Sequence, residues 1–151
     1  MAKMSLLQLI HDQWKAVAPV LRTDLTGKTV IVIGANVGIG FEASKHFARM
    51  NPARVILACR SKNKGEEALA SMSKNHKTLN TNTDVSTLEL QEETGYKNAE
   101  VWIIDLGSFA SVSAFAEKWN HEGGRLDILV ANAGIVPAAA EDLTADGWDR
   151  A

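Results

Sequence analysis

The sequence predicts an α/β fold built on a parallel sheet, and three observations support this. Short unbroken runs of aliphatic residues recur along the chain, beginning at 30–33, and such runs are typical of strands buried on both faces. Segments in which apolar residues follow helical spacing separate these runs. The stretch 29–59 has about the 30-residue length of one βαβ unit, whose right-handed crossover places its two strands side by side.

Composition limits the classes of protein to consider. The chain has 151 residues, enough for one domain, and its 46% hydrophobic and 23% charged residues are ordinary for a soluble domain. The net charge of −2 argues against nucleic-acid binding. The single cysteine, Cys59, excludes an intrachain disulfide and a cysteine-built zinc site, and no metal site is predicted. These features favour the cytoplasm, and no apolar run approaches the ~20 residues of an integral membrane segment.

Residues 1–23 are predicted to form an amphipathic N-terminal helix or extension, and the folded domain then occupies 24–151. The helix-spaced apolar residues are Leu6, Leu9, Ile10, Trp14, Val17 and Leu21. Few basic residues accompany them. Packing across the domain is therefore favoured over peripheral contact with a membrane, which stays open as the alternative.

The stretch after the first predicted strand carries the strongest functional signal. Gly34, Gly38 and Gly40 follow that strand, and a helical pattern over 38–50 begins among them. Gly34 allows a tight turn, Gly38 leaves room for a pyrophosphate, and Gly40 lets the helix lie close to the strand. Together with the free N–H groups of the helix N-terminus, this order predicts a dinucleotide-binding site in a Rossmann-type, doubly wound sheet.

The end of the second predicted strand, at 54–59, indicates which dinucleotide binds. NAD-binding proteins commonly place a carboxylate about 20 residues past the glycine turn, where it binds the ribose 2′-hydroxyl. This sequence has Arg60 there instead. A guanidinium binds a 2′-phosphate bidentately, whereas a carboxylate repels it. The predicted cofactor is therefore NADP(H) rather than NAD(H), and the alternative is a solvated arginine that only precedes a helix.

The remaining elements complete a small sheet. A helix is predicted over 62–72, and a polar segment rich in Ser, Thr and Asn, at about 72–92, is interpreted as an exposed insertion. A third strand at 101–104, a helix with Ser108 as its N-cap and a fourth strand at 126–130 follow. The predicted strand order is 3-2-1-4, a Rossmann sheet truncated to about four strands. The exposed edge of the fourth strand predicts self-association.

Taken together, these motifs resemble those of the classical short-chain dehydrogenase/reductases, and in particular their retinol-dehydrogenase-like, NADP-preferring branch. The glycines have that family's Gly-x-x-x-Gly-x-Gly spacing. The next motifs follow in the family's order, as Leu57-Ala-Cys-Arg60-Ser61, Asp105-Leu106 and Asn132-Ala133-Gly134. The resemblance covers about 24–150 apart from the insertion. It implies the NADP(H)-binding portion of an oxidoreductase that reduces carbonyls or oxidises alcohols by hydride transfer.

The resemblance also implies which residues contact the cofactor. Backbone groups of the glycine turn would face its phosphates and ribose, at Asn36, Gly38 and Ile39. The adenine amino group would donate a hydrogen bond to Asp105, beside the backbone of Leu106. The adenosine ribose would be lined by the residues that also hold the fourth strand, namely Asn132, Ala133 and Gly134. The alternatives are a helix-entry carboxylate for Asp105 and a turn residue for Asn132.

Departures from the family's pattern bear on activity. In the family, side chains at three positions brace the cofactor loops. This sequence has Ile33, Val37 and Ala131 at those positions, which predicts looser cofactor binding. The family's catalytic Tyr-x-x-x-Lys is missing from the 151 residues, because Tyr96, the only tyrosine, is followed four residues later by Glu100. No catalytic residue is therefore predicted, and this chain alone is expected to be inactive. The alternative is a non-catalytic nucleotide-binding or interaction module.

Overall fold

Four parallel strands form one sheet in the computed structural model, which describes residues 19–73, 94–135 and 143–148. The strands are β1 (Thr29–Ile33), β2 (Arg54–Cys59), β3 (Ala99–Ile103) and β4 (Ile128–Ala131), in the order β3-β2-β1-β4. The connecting helices are α1 (Gly38–Ala48), α2 (Lys62–Ser73) and α3 (Phe109–Lys118), and a π-helical turn at Trp119–Gly123 extends α3. The predicted fold class and the strand order 3-2-1-4 are confirmed. Residues 1–18 of the predicted N-terminal helix or extension and residues 74–92 of the predicted insertion lie outside the described residues, and residues 19–23 form no helix.

The sheet is buried on both faces at its centre. One face packs under α1 and α2 through a cluster that includes Val30, Val32, Val55 and Leu57. The other face packs under α3 through Ile31, Ile56, Ala58 and Trp102. Successive strand residues point to opposite faces, so the continuous aliphatic runs are what a sheet covered on both sides requires.

Helix α1 lies close to the sheet because small residues face it. Gly40, Ser44 and Ala48 are buried at four-residue intervals, which places them on one side of the helix. The Ser44 hydroxyl is satisfied inside the helix, since it donates to the Gly40 carbonyl oxygen at 2.8 Å. The helix ends at Ala48, two residues earlier than predicted, and Asn51 adopts a left-handed backbone (φ 54°) just before Pro52.

Helix α3 contacts the opposite face mainly through aromatic rings. The Trp102 ring lies 5.5 Å from that of Phe115 and 6.0 Å from that of Trp119, measured between ring centroids. The predicted N-cap is confirmed, because the Ser108 hydroxyl accepts a hydrogen bond from the Ser111 N–H. This cap fixes the start of α3 directly after the loop that leaves β3.

Strand β4 is fixed beside β1 by the Asp127 carboxylate. It accepts hydrogen bonds from the Thr29 N–H (3.0 Å) and the Lys28 ammonium (3.2 Å), and Arg125 lies 2.8 Å away. The Thr29 hydrogen bond, followed by that of Lys28, holds the pKa of Asp127 below its usual value. Within the described residues β4 pairs with β1 alone, and Leu129 is 55% exposed.

Candidate cofactor-binding site

The glycine turn follows β1 and leaves its backbone open. Gly34 and Gly38 have φ angles of 77° and 64°, which favour glycine strongly. The Gly34 N–H donates to the Ala58 carbonyl oxygen at 2.8 Å, so the turn is tied to the end of β2. A Cβ atom built on Gly38 meets nothing within 4 Å. The space beside Gly38 is therefore open to a ligand.

The N-terminus of α1 faces the same space without a side-chain cap. Val37 precedes the helix, and its side chain cannot hydrogen-bond to the first N–H groups. Val37 and Ile39 are 69% and 83% exposed. Backbone N–H groups at the start of a helix carry partial positive charge, so this end of α1 can bind a phosphate.

Gly40 and Asn132 join the glycine turn to the end of β4. The Asn132 side-chain amide donates to the carbonyl oxygens of Ile33 and Gly34, at 3.2 and 3.3 Å. A Cβ atom on Gly40 would overlap both the Gly34 carbonyl and this amide. Asn132 thus joins the end of β4 to the glycine turn through side-chain hydrogen bonds, while the replaced positions Ile33, Val37 and Ala131 are other residues of these loops.

The other two residues of that motif lie at the surface. Ala133 is exposed, and its Cα is 3.1 Å from a Cβ atom built on Gly34, so it packs directly against the turn. Gly134 is exposed and has no neighbour within 4 Å of a built Cβ. This leaves Gly134 able to approach a bound ribose.

Arg60 is exposed at the end of β2, and no carboxylate lies within ion-pair distance of it in the described parts of the chain. The preceding Cys59 is buried, and its thiol donates to the Ser61 carbonyl oxygen at 3.3 Å. Burial raises the pKa of this thiol. Cys59 is therefore a structural residue, and Arg60 is the polar group that this turn presents.

Asp105 anchors the loop that follows β3. Its carboxylate accepts a hydrogen bond from the Gly107 N–H at 2.9 Å, and its own N–H donates to the Ser111 hydroxyl at 2.9 Å. Leu106 is 52% exposed beside it. The loop thus presents a fixed carboxylate and an apolar side chain, an arrangement suited to the edge and the face of an adenine ring.

Two residues that the sequence did not single out support this loop. The Asp146 carboxylate accepts a hydrogen bond from the Phe109 N–H at 2.7 Å, and the Trp148 ring packs edge-on against the Phe109 ring at 5.7 Å. Negative charge at a helix N-terminus is favourable, so Asp146 stabilises the start of α3. The Asp146-Gly147 pair indicates a turn, but nothing local indicates its partner 37 residues earlier.

All four groups of predicted residues lie at one edge of the sheet. The glycine turn, Arg60, Asp105-Leu106 and Asn132-Gly134 each follow the carboxyl end of a strand, and the strands are parallel. Crevices outside the carboxyl ends of the strands are where open α/β sheets bind ligands. The structure therefore brings the sequence-predicted residues to one side of the domain.

Tyr96 lies at the opposite end of the sheet. Its hydroxyl is buried and donates to the Pro52 carbonyl oxygen at 2.9 Å, just before β2 begins. Burial, with a smaller effect of the Glu100 charge, raises the pKa of Tyr96 to about 12. The Tyr96 hydroxyl thus makes a structural contact with the chain just before β2.

Comparison with known proteins identifies the family. The sequence profile of the short chain dehydrogenase family matches residues 28–94 and 85–151. The chain belongs to this family. It is 36% identical over 120 residues to the short chain dehydrogenase/reductase dmxR8 of Cryptosporiopsis and 39% identical over 112 residues to the human dehydrogenase/reductase SDR family member 13. Those alignments cover 78% and 74% of this chain.

The structural comparison agrees with this membership. The fold is similar to that of menthone neomenthol reductase from Mentha piperita, with a TM-score of 0.53 and 32% identity over 73% of this chain. The chain spans 32% of that protein's length, and 32% and 25% of the two relatives above. No helix among the described residues is long and apolar enough to cross a membrane.

Proposed function

We propose that this short-chain dehydrogenase chain binds NADP(H) at the carboxyl edge of its sheet. The observation that carries the proposal is the open backbone at Gly38 beside an uncapped helix N-terminus. A pyrophosphate needs close backbone approach and free N–H donors, and this turn offers both. Gly34 and Gly40 support the site by allowing the turn and the close packing of α1.

Other residues at this edge of the sheet match the adenine ring and the ribose of the cofactor. The Asp105 carboxylate, held by Gly107, would accept from the adenine amino group, and Leu106 would cover one face of the ring. Asn132 would position the turn that faces the ribose, because its side-chain amide donates hydrogen bonds to the carbonyl oxygens of Ile33 and Gly34. When bound, the nicotinamide cofactor supplies or accepts the hydride in carbonyl reduction or alcohol oxidation.

The preference for NADP(H) over NAD(H) rests on Arg60. It is exposed and free of carboxylates in the described parts of the chain, so its guanidinium is available to a 2′-phosphate. NAD(H) has a hydroxyl at that position and gains nothing from the charge. The same residue supports the proposal that this chain falls in the retinol-dehydrogenase-like, NADP-preferring branch of the family.

For these 151 residues we propose binding without turnover. They hold no Tyr-x-x-x-Lys, and Tyr96 is buried far from the carboxyl edge with a raised pKa. Proton transfer to a substrate oxygen needs a group whose pKa lies near the working pH. These 151 residues would therefore bind and orient the cofactor without catalysing the reaction, as a non-catalytic nucleotide-binding module does.

Fluorescence titrations with NADPH and NADH test the proposal. We expect NADPH to bind more tightly than NADH, and Arg60→Gln to weaken NADPH binding by about tenfold while leaving NADH binding unchanged, since a charge-assisted hydrogen bond is lost. Arg22→Gln is the matched control, because Arg22 is also exposed but lies near His46, away from the glycine turn. Equal affinities for the two cofactors would refute the NADP(H) preference.

A further inference from the structure

A short turn at 143–148 is closed by hydrogen bonds of its own. The Thr144 N–H donates to the Trp148 carbonyl oxygen at 2.6 Å, and the Trp148 N–H donates to the Thr144 hydroxyl at 3.1 Å. The Gly147 N–H donates to the Thr144 carbonyl oxygen at 3.0 Å, and Gly147 has a φ of 79°, which favours glycine. These bonds fix the backbone that carries the side chains of Asp146 and Trp148.

This turn contacts the start of α3 at two points and the loop before it at a third. The Asp146 carboxylate accepts a hydrogen bond from the Phe109 N–H at 2.7 Å, and the Trp148 ring packs edge-on against the Phe109 ring. The Thr144 methyl carbon lies 3.7 Å from a Cβ atom built on Gly107. Because Phe109 is the first residue of α3, the turn holds the helix at the end where Asp105 is attached.

The start of α3 in turn fixes Asp105. The Asp105 N–H donates to the Ser111 hydroxyl at 2.9 Å, and the Asp105 carbonyl oxygen accepts from the Ser108 N–H at 3.1 Å. Its carboxylate accepts from the Gly107 N–H at 2.9 Å. These three partners all belong to 107–111. The direction of the Asp105 carboxylate therefore depends on where the first turn of α3 lies.

We propose that Asp146 is a positioning residue for the adenine ring of the cofactor. It holds the first turn of α3, and that turn holds the Asp105 carboxylate where it accepts from the adenine amino group. This inference rests on the proposed binding of NADP(H). A hydrogen bond weakens steeply when its distance or angle departs from the preferred geometry. A small movement of the helix start is therefore enough to weaken the contact with adenine.

The adenine amino group provides a readout that isolates this role. In the hypoxanthine analogue of NADPH a carbonyl oxygen replaces that amino group, so this atom cannot donate to Asp105. The phosphates, the riboses and the nicotinamide are the same in both molecules. The ratio of their dissociation constants therefore reports the hydrogen bond to Asp105, whereas general damage to the fold weakens both and leaves the ratio unchanged.

The test is a fluorescence titration of the 151-residue chain with NADPH and with this analogue. We expect the wild type to bind NADPH about tenfold more tightly, and Asp146→Ala to lower this ratio to about threefold. Asp146→Asn should keep the wild-type ratio, because its amide oxygen still accepts from the Phe109 N–H. Asp105→Ala removes the acceptor itself and should bring the ratio to about one.

Asp24→Ala is the matched control for Asp146→Ala. The Asp24 carboxylate also accepts a backbone hydrogen bond at the surface, from the Thr26 N–H at 2.9 Å, but it lies before β1 at the opposite end of the sheet. This variant should keep the wild-type ratio. Circular dichroism confirms that each variant is folded.

The outcomes separate this inference from the proposed function. If the wild type discriminates and Asp146→Ala keeps the same ratio, or weakens both cofactors equally, the positioning role is wrong and the proposed function stands. If Asp146→Ala does not fold, Trp148→Ala decides, since that ring packs on the same Phe109: a lowered ratio supports the inference and an unchanged ratio refutes it. A wild type that binds both molecules equally overturns the inference alone, and one that binds neither refutes both proposals.

Discussion

The close approach of α1 to β1 depends on the missing side chain of Gly40. Any Cβ atom there would overlap the Gly34 carbonyl and the Asn132 amide, which are themselves hydrogen-bonded to each other. One residue therefore controls three features at once: the helix packing, the glycine turn and the end of β4. A substitution at this position affects stability and cofactor binding together.

Gly40→Ala is expected to lower the free energy of unfolding by about 1 kcal/mol. Overpacking against backbone costs about 1–3 kcal/mol, which exceeds the gain of about 1 kcal/mol from alanine's helix propensity. Urea denaturation measures the change. Gly134→Ala is the control, since its added Cβ meets nothing within 4 Å, and its stability should equal that of the wild type. A Gly40→Ala variant as stable as the wild type would show that α1 can move away from the turn freely.

Strand β4 depends on a charged group for its position beside β1. The Asp127 carboxylate receives hydrogen bonds from Thr29 and Lys28, and these lower its pKa in the folded state. Its folded pKa is thus below the unfolded value of about 3.9. The resulting stabilisation is fully present above the unfolded pKa and is lost as the pH falls through the folded pKa.

Asp127→Asn therefore should lower the urea midpoint at about pH 7, with the difference from the wild type closing as the pH falls below about 4. The amide keeps the size of the side chain but removes its charge and replaces one of the two acceptor oxygens by an NH2 donor. Glu117→Gln serves as the control, because Glu117 is exposed and its carboxylate has no partner in the described parts of the chain. A difference that stays constant over this pH range would mean that the Asp127 charge does not hold β4.

The two ends of the segment between α2 and β3 meet. The Thr94 hydroxyl donates to the Met72 carbonyl oxygen at 3.2 Å, so a short connection could join the end of α2 to residue 94 directly. Residues 74–93 lie between these points, where the sequence predicts an insertion. On this hypothesis the fold does not need those residues.

Replacement of residues 74–93 by four glycines is expected to raise the free energy of unfolding by about 1 kcal/mol, because closing a shorter loop costs less entropy. Thermal and urea unfolding measure it. A variant with 20 Gly and Ser residues in this segment keeps the loop length and should match the wild type. Loss of cooperative unfolding in either variant would show that the segment contributes contacts to the domain.

The exposed edge of the sheet affects the behaviour of the assembled domain in solution. β4 pairs with β1 on one side, and in the described parts of the chain no strand covers its other side. Leu129 is 55% exposed, although its partner on β1, Ile31, is buried. An unpaired strand edge next to an apolar side chain favours pairing with a second copy.

We accordingly expect the 151-residue chain to self-associate in sedimentation velocity experiments as its concentration rises. Leu129→Lys should shift it towards monomer, since a charge on an edge strand opposes pairing. Val112→Lys adds the same charge on α3, where Val112 is 37% exposed, and should leave the association unchanged. A monodisperse wild-type monomer at all concentrations would contradict the prediction.

Local patterns of the sequence predict the order of the helices and strands. Aliphatic runs placed β1 and β2 correctly, because strands buried on both faces need apolar residues at every position. The bounds of β3 and β4 shifted by one or two residues, since hydrogen bonds with neighbouring strands decide where pairing begins and ends. Glycine spacing and Arg60 predict a dinucleotide site for a similar reason, since turn geometry and charge depend on single residues, and that site is the one we propose.

Contacts between distant residues could only be read from the tertiary structure. Asn132 lies 99 residues from Ile33, whose carbonyl oxygen it binds, and Asp146 lies 37 residues from the helix N-terminus that it stabilises. A groove lined by Val37, Phe41 and Lys64 forms because α1 and α2 pack side by side on one face of the sheet. The physical reason is that periodicity and turn chemistry act between near neighbours along the chain, whereas these contacts depend on how whole elements pack.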